Sequence, residues 1–216
     1  MSERQVREAW ERHWELGGSL EENASWIGKR LRHQRLKIMR EMLKPLDKEL
    51  SAIDMGCGNG STLRVLREAG FKNSIGIEYT DKGLIAAEHN GFKVGSDVFQ
   101  MDAKKTPYPD RFFGLNFSEG LAEHFEDPTP FLDEQMRITG KYILLIQPDH
   151  FSVAGYLLKL LWDLFASDKG GVKEYSYRMQ YFINYFKEHG FRLVEKRGTQ
   201  LHEQAVMLFE RVAYGS

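Results

Sequence analysis

Short apolar runs alternate with amphipathic segments through the middle of the chain. The runs are rich in Ile, Leu, Val and Phe, and are too short for helices, so they predict strands. The predicted strands are 51–55, 74–78, 97–101, 113–118 and 141–147. The segments between them that repeat apolar residues at helical spacing are 60–69, 81–90 and 128–138. Alternation of this kind predicts an α/β fold with a parallel sheet and helices on both faces.

Further elements follow this region. Residues 181–190 predict a helix that ends at Gly190, and 191–196 and 205–212 predict two more strands. Between the fifth strand and that helix, 152–165 predicts an apolar helix. Apolar helices pack in a core, form oligomer contacts or line a substrate pocket, and all three alternatives stay open here.

The N-terminal residues 1–26 are polar but contain three of the four tryptophans, Trp10, Trp14 and Trp26. The first two are one helical turn apart and therefore share a face. Gly17, Gly18 and Ser19 are expected to break this helix. Two interpretations are open, a short helix pinned to the core by its aromatic side chains and a lid over a ligand.

A basic amphipathic helix is predicted over 27–44, ended by Pro45, with Glu41 as its only acid. One interpretation is a solvated basic face balanced by acids elsewhere in the fold. The other is an anion-binding surface for an acidic substrate or an RNA backbone.

Composition limits the kinds of function that the chain can have. The chain has 216 residues and a net charge of -1, so its bulk charge favours neither a nucleic acid nor a membrane surface as partner. It has no apolar run of membrane-spanning length and no signal-like N-terminus, and a cytoplasmic protein is expected. The single cysteine, Cys57, is expected to be a packing residue. The scattered histidines predict no metal site.

The first strand runs into three glycines spaced two apart, Gly56, Gly58 and Gly60, with Asp54 just ahead of them. Glycine allows the sharp strand-to-helix turn and the close approach of a ligand that a Cβ would obstruct. The dinucleotide fingerprint places its third glycine one position later, where this chain has Ser61. A nicotinamide-dependent oxidoreductase is therefore the weaker alternative.

This arrangement resembles motif I of the class I S-adenosylmethionine-dependent methyltransferases, and the resemblance continues downstream. Glu78 ends the second predicted strand, where the family's carboxylate binds the ribose hydroxyls, and Tyr79 follows beside the adenine. Asp102, between Met101 and Ala103, matches the aspartate that accepts from the adenine amino group.

The fourth predicted strand continues the resemblance. The segments 107–113 and 115–125 match the family's motif from an aromatic-aspartate pair to a leucine-x-histidine, although Gly114 replaces the usual aspartate. The resemblance covers roughly 45–213 and is closest to the methyltransferase type 11 group, which includes quinone-biosynthesis enzymes. His124 is the candidate catalytic base, and capping or packing of its loop is the alternative.

The resemblance implies a Rossmann-like doubly wound sheet of seven strands, mostly parallel with an antiparallel last strand, preceded by N-terminal helices. It implies a helical lid or cap over 1–46, with Trp10, Arg12 and Trp14 as lid candidates, and a methyltransferase domain over 47–216. Within that domain, 148–180 is expected to cover the substrate, with Tyr175 and Tyr177 near the acceptor.

The implied function is methyl transfer from S-adenosylmethionine to a small-molecule acceptor, an acidic one if the basic helix binds anions. A subunit that binds S-adenosylmethionine without turnover is the alternative, and the oligomeric state stays open. The residues expected to bind the cofactor are Asp54, Gly56, Cys57, Gly58, Gly60, Glu78, Tyr79, Met101, Asp102, Ala103, Ser118 and Glu119.

Overall fold

The computed structural model describes residues 3–15, 26–165 and 173–212. The helices are α1 (Glu3–Glu15), α2 (Trp26–Leu43), α3 (Ser61–Glu68), α4 (Asp81–His89), α5 (Thr129–Ile138), α6 (Val153–Phe165) and α7 (Met179–Glu188). The strands are β1 (Ala52–Met55), β2 (Ser74–Glu78), β3 (Val98–Gln100), β4 (Phe113–Glu119), β5 (Thr139–Pro148), β6 (Phe191–Gly198) and β7 (Gln204–Arg211). The predicted glycine break at 17–19 and residues 169–171 lie outside the described residues.

The strands form one seven-stranded sheet in the order β3-β2-β1-β4-β5-β7-β6. The first five strands are parallel, and β7 runs antiparallel to both β5 and β6. The predicted fold class is confirmed. The strand order reverses between β1 and β4, and in open α/β sheets such a switch point opens a crevice at the carboxyl ends of the strands.

Two apolar clusters cover the two faces of the sheet. One joins the sheet to α2, α3 and α4, and the other joins it to α5 and α7. In α2, Met39, Met42 and Leu43 are fully buried, each worth about 1.5–3 kcal/mol of apolar burial. This helix is therefore a layer of the core, and the lid or cap expected over 1–46 stays a prediction.

Several details differ from the sequence pattern. Trp26, the third N-terminal tryptophan, is 73% exposed and is not buried in the core as the pinned-helix interpretation expects. A short 3-10 turn over Ala122–His124 follows β4 and was not predicted. The apolar helix α6 leaves most of its large side chains exposed, among them Leu157, Leu161 and Leu164. Among the described helices, none is both long and apolar enough to cross a membrane.

Candidate functional site

A pocket of about 520 Å³ opens at the carboxyl ends of β1 to β4. It lies at the switch point of the sheet, where the fold predicts ligand binding. Most of the residues predicted to bind the cofactor line it, and so does His124. The predicted residues on its wall are Gly56, Cys57, Gly58, Glu78, Tyr79, Met101, Asp102, Ala103 and Glu119.

The glycine turn joins β1 to α3 and forms the floor of the pocket. Gly56, Gly58 and Gly60 all have positive φ, at 77°, 51° and 78°. A Cβ at Gly58 would lie 2.6 Å from Cη2 of Trp14, so only glycine lets the turn and this indole lie so close. Gly60 precedes the first residue of α3 and does not line the pocket.

Glu78 at the end of β2 ties the glycine turn to the next loop. Its Oε2 accepts from the Gly58 N–H at 3.1 Å, and its Oε1 accepts from the Thr80 N–H at 2.9 Å and hydroxyl at 2.6 Å. Burial raises the pKa of this carboxyl, and the three hydrogen bonds oppose that shift. The carboxylate is thus preorganised at the pocket wall, and it has acceptor capacity left for hydroxyl groups.

Asp54 lies beneath the pocket rather than on its wall. The Thr62 hydroxyl donates to its Oδ2 at 2.5 Å, which links the end of β1 to the first turn of α3. Burial raises the pKa of Asp54 to about 8; the Thr62 hydrogen bond opposes the shift, whereas the charges of Glu119 and Glu78 add to it. A cation bound above it would favour its ionised form.

The wall beyond Glu78 is built by the ends of β2 and β3. Asp102 Oδ1 accepts from the Lys104 N–H at 2.8 Å, which orients the carboxylate at the pocket. The Arg7 guanidinium of α1 lies over the Tyr79 ring, 5.4 Å from its centroid. Tyr79 and Asp102, which follow two different strands, thus lie on the same pocket wall.

The last two residues of β4, Ser118 and Glu119, point in opposite directions. Ser118 is buried away from the pocket, and its Oγ accepts from the Gln135 side chain at 3.0 Å. Glu119 faces the pocket and forms an ion pair with Arg35 of α2. Alternation along the strand separates these two adjacent positions. Their predicted cofactor contacts stay predictions.

His124 lies where three segments meet. Its Nδ1 is 3.1 Å from the Lys173 carbonyl oxygen, and its ring packs edge-on against Trp10 at 4.7 Å between centroids. Because a carbonyl only accepts, Nδ1 carries the proton in this geometry and Nε2 is the basic nitrogen. The residue therefore connects α1 to the 173–178 segment.

The helix α1 lies across the pocket and is fastened to α4. Both oxygens of Glu11 accept backbone N–H groups at the start of α4, from Asp81 at 2.9 Å and Lys82 at 3.1 Å. Arg7 also pairs with Asp81 at 3.2 Å. These contacts hold Trp10 and Trp14 on the pocket wall, the geometry that a lid requires.

Three basic residues of α2 form ion pairs within the fold. Arg40 pairs with Glu68 at 3.0 Å, Lys37 lies 4.0 Å from Glu41, and Arg35 pairs with Glu119. This favours the balanced-face interpretation over an anion-binding surface. Arg32 and Arg35 nevertheless line the pocket, which the helix pattern did not indicate.

Other wall residues come from a segment distant in sequence. Lys173, Glu174 and Tyr175 line the pocket, whereas no described residue of α6 does. Of the two tyrosines predicted near the acceptor, Tyr175 is on the wall, and Tyr177 instead donates to the Phe125 carbonyl at 2.7 Å. Nothing in the local sequence pattern marks Glu174, since its position depends on how the segment packs against the loop after β4.

Cys57 is a packing residue in this structure. It is buried, and a Cβ at Gly76 would lie 2.6 Å from its Sγ. Burial raises the pKa of its thiol, which disfavours the reactive thiolate. Among the described residues, no group of three or more histidine, cysteine or acidic side chains is arranged to hold a metal ion.

Residues 53–142 match a protein-family model described as a methyltransferase domain. This stretch of the chain therefore carries a methyltransferase domain. The resemblance stated from the glycine turn and its downstream motifs is thereby confirmed. The matched stretch contains all of β1 but its first residue, all of β2 to β4 and all of the predicted cofactor-binding residues.

Known methyltransferases are similar to this chain, one in sequence and others in fold. Ajmaline N-methyltransferase of Rauvolfia serpentina is 33% identical over 114 residues, which are 49% of this chain and 38% of that protein. The match thus spans little more than a third of the relative's length. The structure of magnesium protoporphyrin IX methyltransferase from Synechocystis PCC 6803 with bound SAH superposes with a TM-score of 0.72 at 16% identity, covering 97% of this chain and 100% of that one. A SAM-dependent methyltransferase from Thermotoga maritima gives 0.65 at 16% identity, covering 94% and 98%.

Proposed function

We propose that this protein transfers the methyl group of S-adenosylmethionine to a small-molecule acceptor. The observation that carries the proposal is the meeting of the glycine turn, Glu78, Asp102 and His124 in one pocket at the switch point of the sheet. Methyltransferases of small molecules among the relatives support the acceptor class.

The residues present fit the cofactor. At Gly58 the turn has no side chain, so the backbone itself borders the pocket beside the Trp14 indole that packs on it. Acids outnumber bases on the wall, which suits a molecule that carries both a sulfonium and an ammonium group. The wall acids are Glu78, Asp102, Glu119, Glu126, Asp127 and Glu174, and the wall bases are Arg32, Arg35, Lys104 and Lys173.

S-adenosylmethionine supplies an electrophilic methyl group, so the protein's task is to orient an acceptor and exclude water. We assign Glu78 to the ribose hydroxyls and Asp102 to the adenine amino group. Asp54 attracts the ammonium group from beneath the turn, and Trp10 and Trp14 exclude water. His124 Nε2 takes the proton of an acceptor that must lose one.

Calorimetric titration tests the cofactor assignment. S-adenosylmethionine and its demethylated product should bind with a Kd in the micromolar range, about -8 kcal/mol, whereas NADH should not bind. Glu78→Gln keeps the shape of the side chain but replaces one acceptor oxygen by a donor, and should weaken binding by about ten-fold. Glu188→Gln on the exposed end of α7 is the matched control. Binding of NADH alone would refute the proposal.

Turnover is tested separately with methyl-labelled S-adenosylmethionine and a panel of small acceptors. Label should reach an acceptor, and His124→Ala should slow the reaction without a matching loss of cofactor affinity. Tight cofactor binding with no labelled product from any acceptor would instead favour the non-catalytic alternative. A normal rate in His124→Ala would remove the base assignment alone.

A further inference from the structure

The helix α6 presents its apolar side to solvent. Six of its large apolar side chains repeat at helical spacing, and each is between 42% and 82% exposed. We name them the outer stripe: Val153, Tyr156, Leu157, Leu160, Leu161 and Leu164. A surface helix normally turns such a stripe toward the core. The orientation of α6 is therefore the reverse of the usual one.

The side of α6 that faces the domain is fixed by a glycine. A Cβ at Gly155 would overlap the carbonyl oxygen of Asp149, so the helix backbone packs directly on the residues that follow β5. The Ser152 hydroxyl accepts from the Gly155 N–H at 3.0 Å and donates to the Asp149 carbonyl at 2.9 Å. At about 3.6 residues per turn, Gly155 lies on the opposite side of the helix from Val153 and Leu164. This close packing holds the outer stripe away from the core.

The exposed area is large for a single soluble chain. The outer stripe exposes on the order of 600 Å² of apolar surface, which is the upper end for the largest such patch on a typical monomer. Two stripes packed together would bury on the order of 1,200 Å², the lower end of the range for specific protein interfaces. The outer stripe is thus large enough for a weak, reversible interface.

The spacing of the outer stripe is the same when read from either end. Its successive members are three, one, three, one and three residues apart. An antiparallel pair of α6 helices therefore brings Val153 of each copy against Leu164 of the other, and Leu157 against Leu160. A two-fold axis requires such self-complementarity, because the same patch must serve both copies.

A groove beside the first turns of α6 offers room for side chains of a second copy. It has a volume of about 530 Å³, and Phe151, Val153, Tyr156 and Leu157 are among the residues that line it. In the antiparallel arrangement, Leu164 of the second copy lies next to Val153 and so meets this groove. The ridge and the groove form one continuous surface, as an interface between identical copies requires.

Charge favours a second copy over a membrane surface. Helices that lie on membranes carry a polar face rich in lysine and arginine. The charged residues of α6 are Lys159 and Asp163, one of each sign. The whole chain has a net charge of -1, so two copies repel each other little.

We propose that α6 is the interface of a two-fold symmetric homodimer, in which the outer stripes of two copies pack antiparallel. The interface is small and largely apolar, so the Kd for dimer dissociation should lie in the micromolar range. The proposal does not depend on methyl transfer, because no described residue of α6 lines the cofactor pocket.

Sedimentation velocity of the full chain from about 0.5 to 200 µM tests the proposal, and the parent should pass from monomer to dimer over this range. Leu160→Glu and Leu157→Lys each place a charge in the outer stripe, and each should raise the Kd at least about ten-fold. Both side chains are exposed, so the variants should fold as the parent does, which circular dichroism checks. Ile85→Lys on α4, where the side chain is 44% exposed, is the matched control and should leave the Kd unchanged.

Mixing two variants tests the antiparallel arrangement. Position 157 of one copy meets position 160 of the other, so an equimolar mixture of Leu157→Lys and Leu160→Glu should dimerise about ten-fold more tightly than either variant alone. A mixture of Leu157→Lys and Val153→Glu carries the same charges but holds them apart, and it should not recover dimers. Equal behaviour of the two mixtures would overturn the antiparallel pairing.

Two results would overturn the homodimer itself. One is a parent that stays monomeric up to about 200 µM. The other is a dimer whose Kd is indifferent to both Leu160→Glu and Leu157→Lys, which would place the interface elsewhere. A monomeric parent that sediments with vesicles of phosphatidylcholine and phosphatidylglycerol, and loses this binding in Leu160→Glu, would assign the outer stripe to a membrane surface instead.

Discussion

Asp54 and Glu123 are carboxyl groups whose surroundings oppose their ionisation. Burial is the main cause for both, and it raises the pKa of each to about 8. Asp54 receives the Thr62 hydroxyl, whereas Oε2 of Glu123 has no donor within the described part of the chain. Asp54 therefore has a side-chain hydrogen bond that favours its ionised form, whereas Glu123 Oε2 has none among the described residues.

This difference predicts how stability depends on pH. A group whose pKa is higher in the folded protein than in the unfolded chain stabilises the fold below its unfolded pKa, and that contribution is lost as pH rises to the folded pKa. For Glu123 the window runs from its ordinary value of 4.5 to about 8. Across this range the parent should lose free energy of unfolding on the order of 5 kcal/mol through this group.

Glu123→Gln removes the titration and keeps the shape. It should therefore raise the free energy of unfolding at pH 8.5 but change it little at pH 4.5, as measured by urea unfolding at both pH values. Glu188→Gln, on the surface, should show the parent's pH profile. A variant that is destabilised equally at both pH values would mean that the Glu123 carboxylate is paired and charged in the folded protein.

At the scale of elements, α1 connects the pocket to α4. The Glu11 carboxylate accepts from two N–H groups at the start of α4, a favourable place for an anion because the helix dipole is positive there. Arg7 adds its ion pair to Asp81. The helix is thus fastened at its polar face while Trp14 packs on Gly58, and its role as a lid stays a prediction.

The lid interpretation predicts that alanine substitutions at two tryptophans have different effects on ligand affinity. Trp14→Ala should weaken S-adenosylhomocysteine binding by about ten-fold, because the indole would bury part of the ligand's apolar surface. Trp26→Ala is the control, since that side chain is 73% exposed and does not line the pocket. Calorimetric titration measures both affinities. Equal affinities in the two variants would leave α1 as a structural helix only.

Across the whole molecule, apolar side chains are not all in the core. Both faces of the sheet bury large apolar clusters, yet α6 presents a row of exposed leucines. Leu145 of β5 is fully buried, whereas Leu161 of α6 is 51% exposed. Burial rather than residue type decides how much each leucine contributes to stability.

A matched pair of substitutions tests this difference. Leu145→Ala should lower the free energy of unfolding by about 2–5 kcal/mol through the lost burial and the cavity that it leaves. Leu161→Ala should change it by less than about 0.5 kcal/mol. Urea unfolding at low protein concentration gives both values. A comparable loss in Leu161→Ala would indicate that the exposed face of α6 is covered in solution.

The sequence by itself was sufficient for the elements and for much of the pocket. The spacing of apolar residues is a local property of the sequence. It therefore predicts the seven strands and their helices with ends close to those observed. The glycine turn, Glu78 and Asp102 follow directly after strands, and the carboxyl ends of parallel strands meet at one edge. Their convergence therefore follows from chain order and the parallel sheet.

The tertiary structure decided what depends on contacts between distant segments. Two contacts join residues far apart in sequence, the Trp14 indole on Gly58 and the Arg35 ion pair with Glu119. The burial of Glu123 likewise depends on how distant segments pack. The helical pattern of α2 revealed its basic face but not the acids that neutralise it. Local periodicity specifies which side of an element is apolar, whereas the partner of a side chain, and hence its charge state, is specified only when the elements pack together.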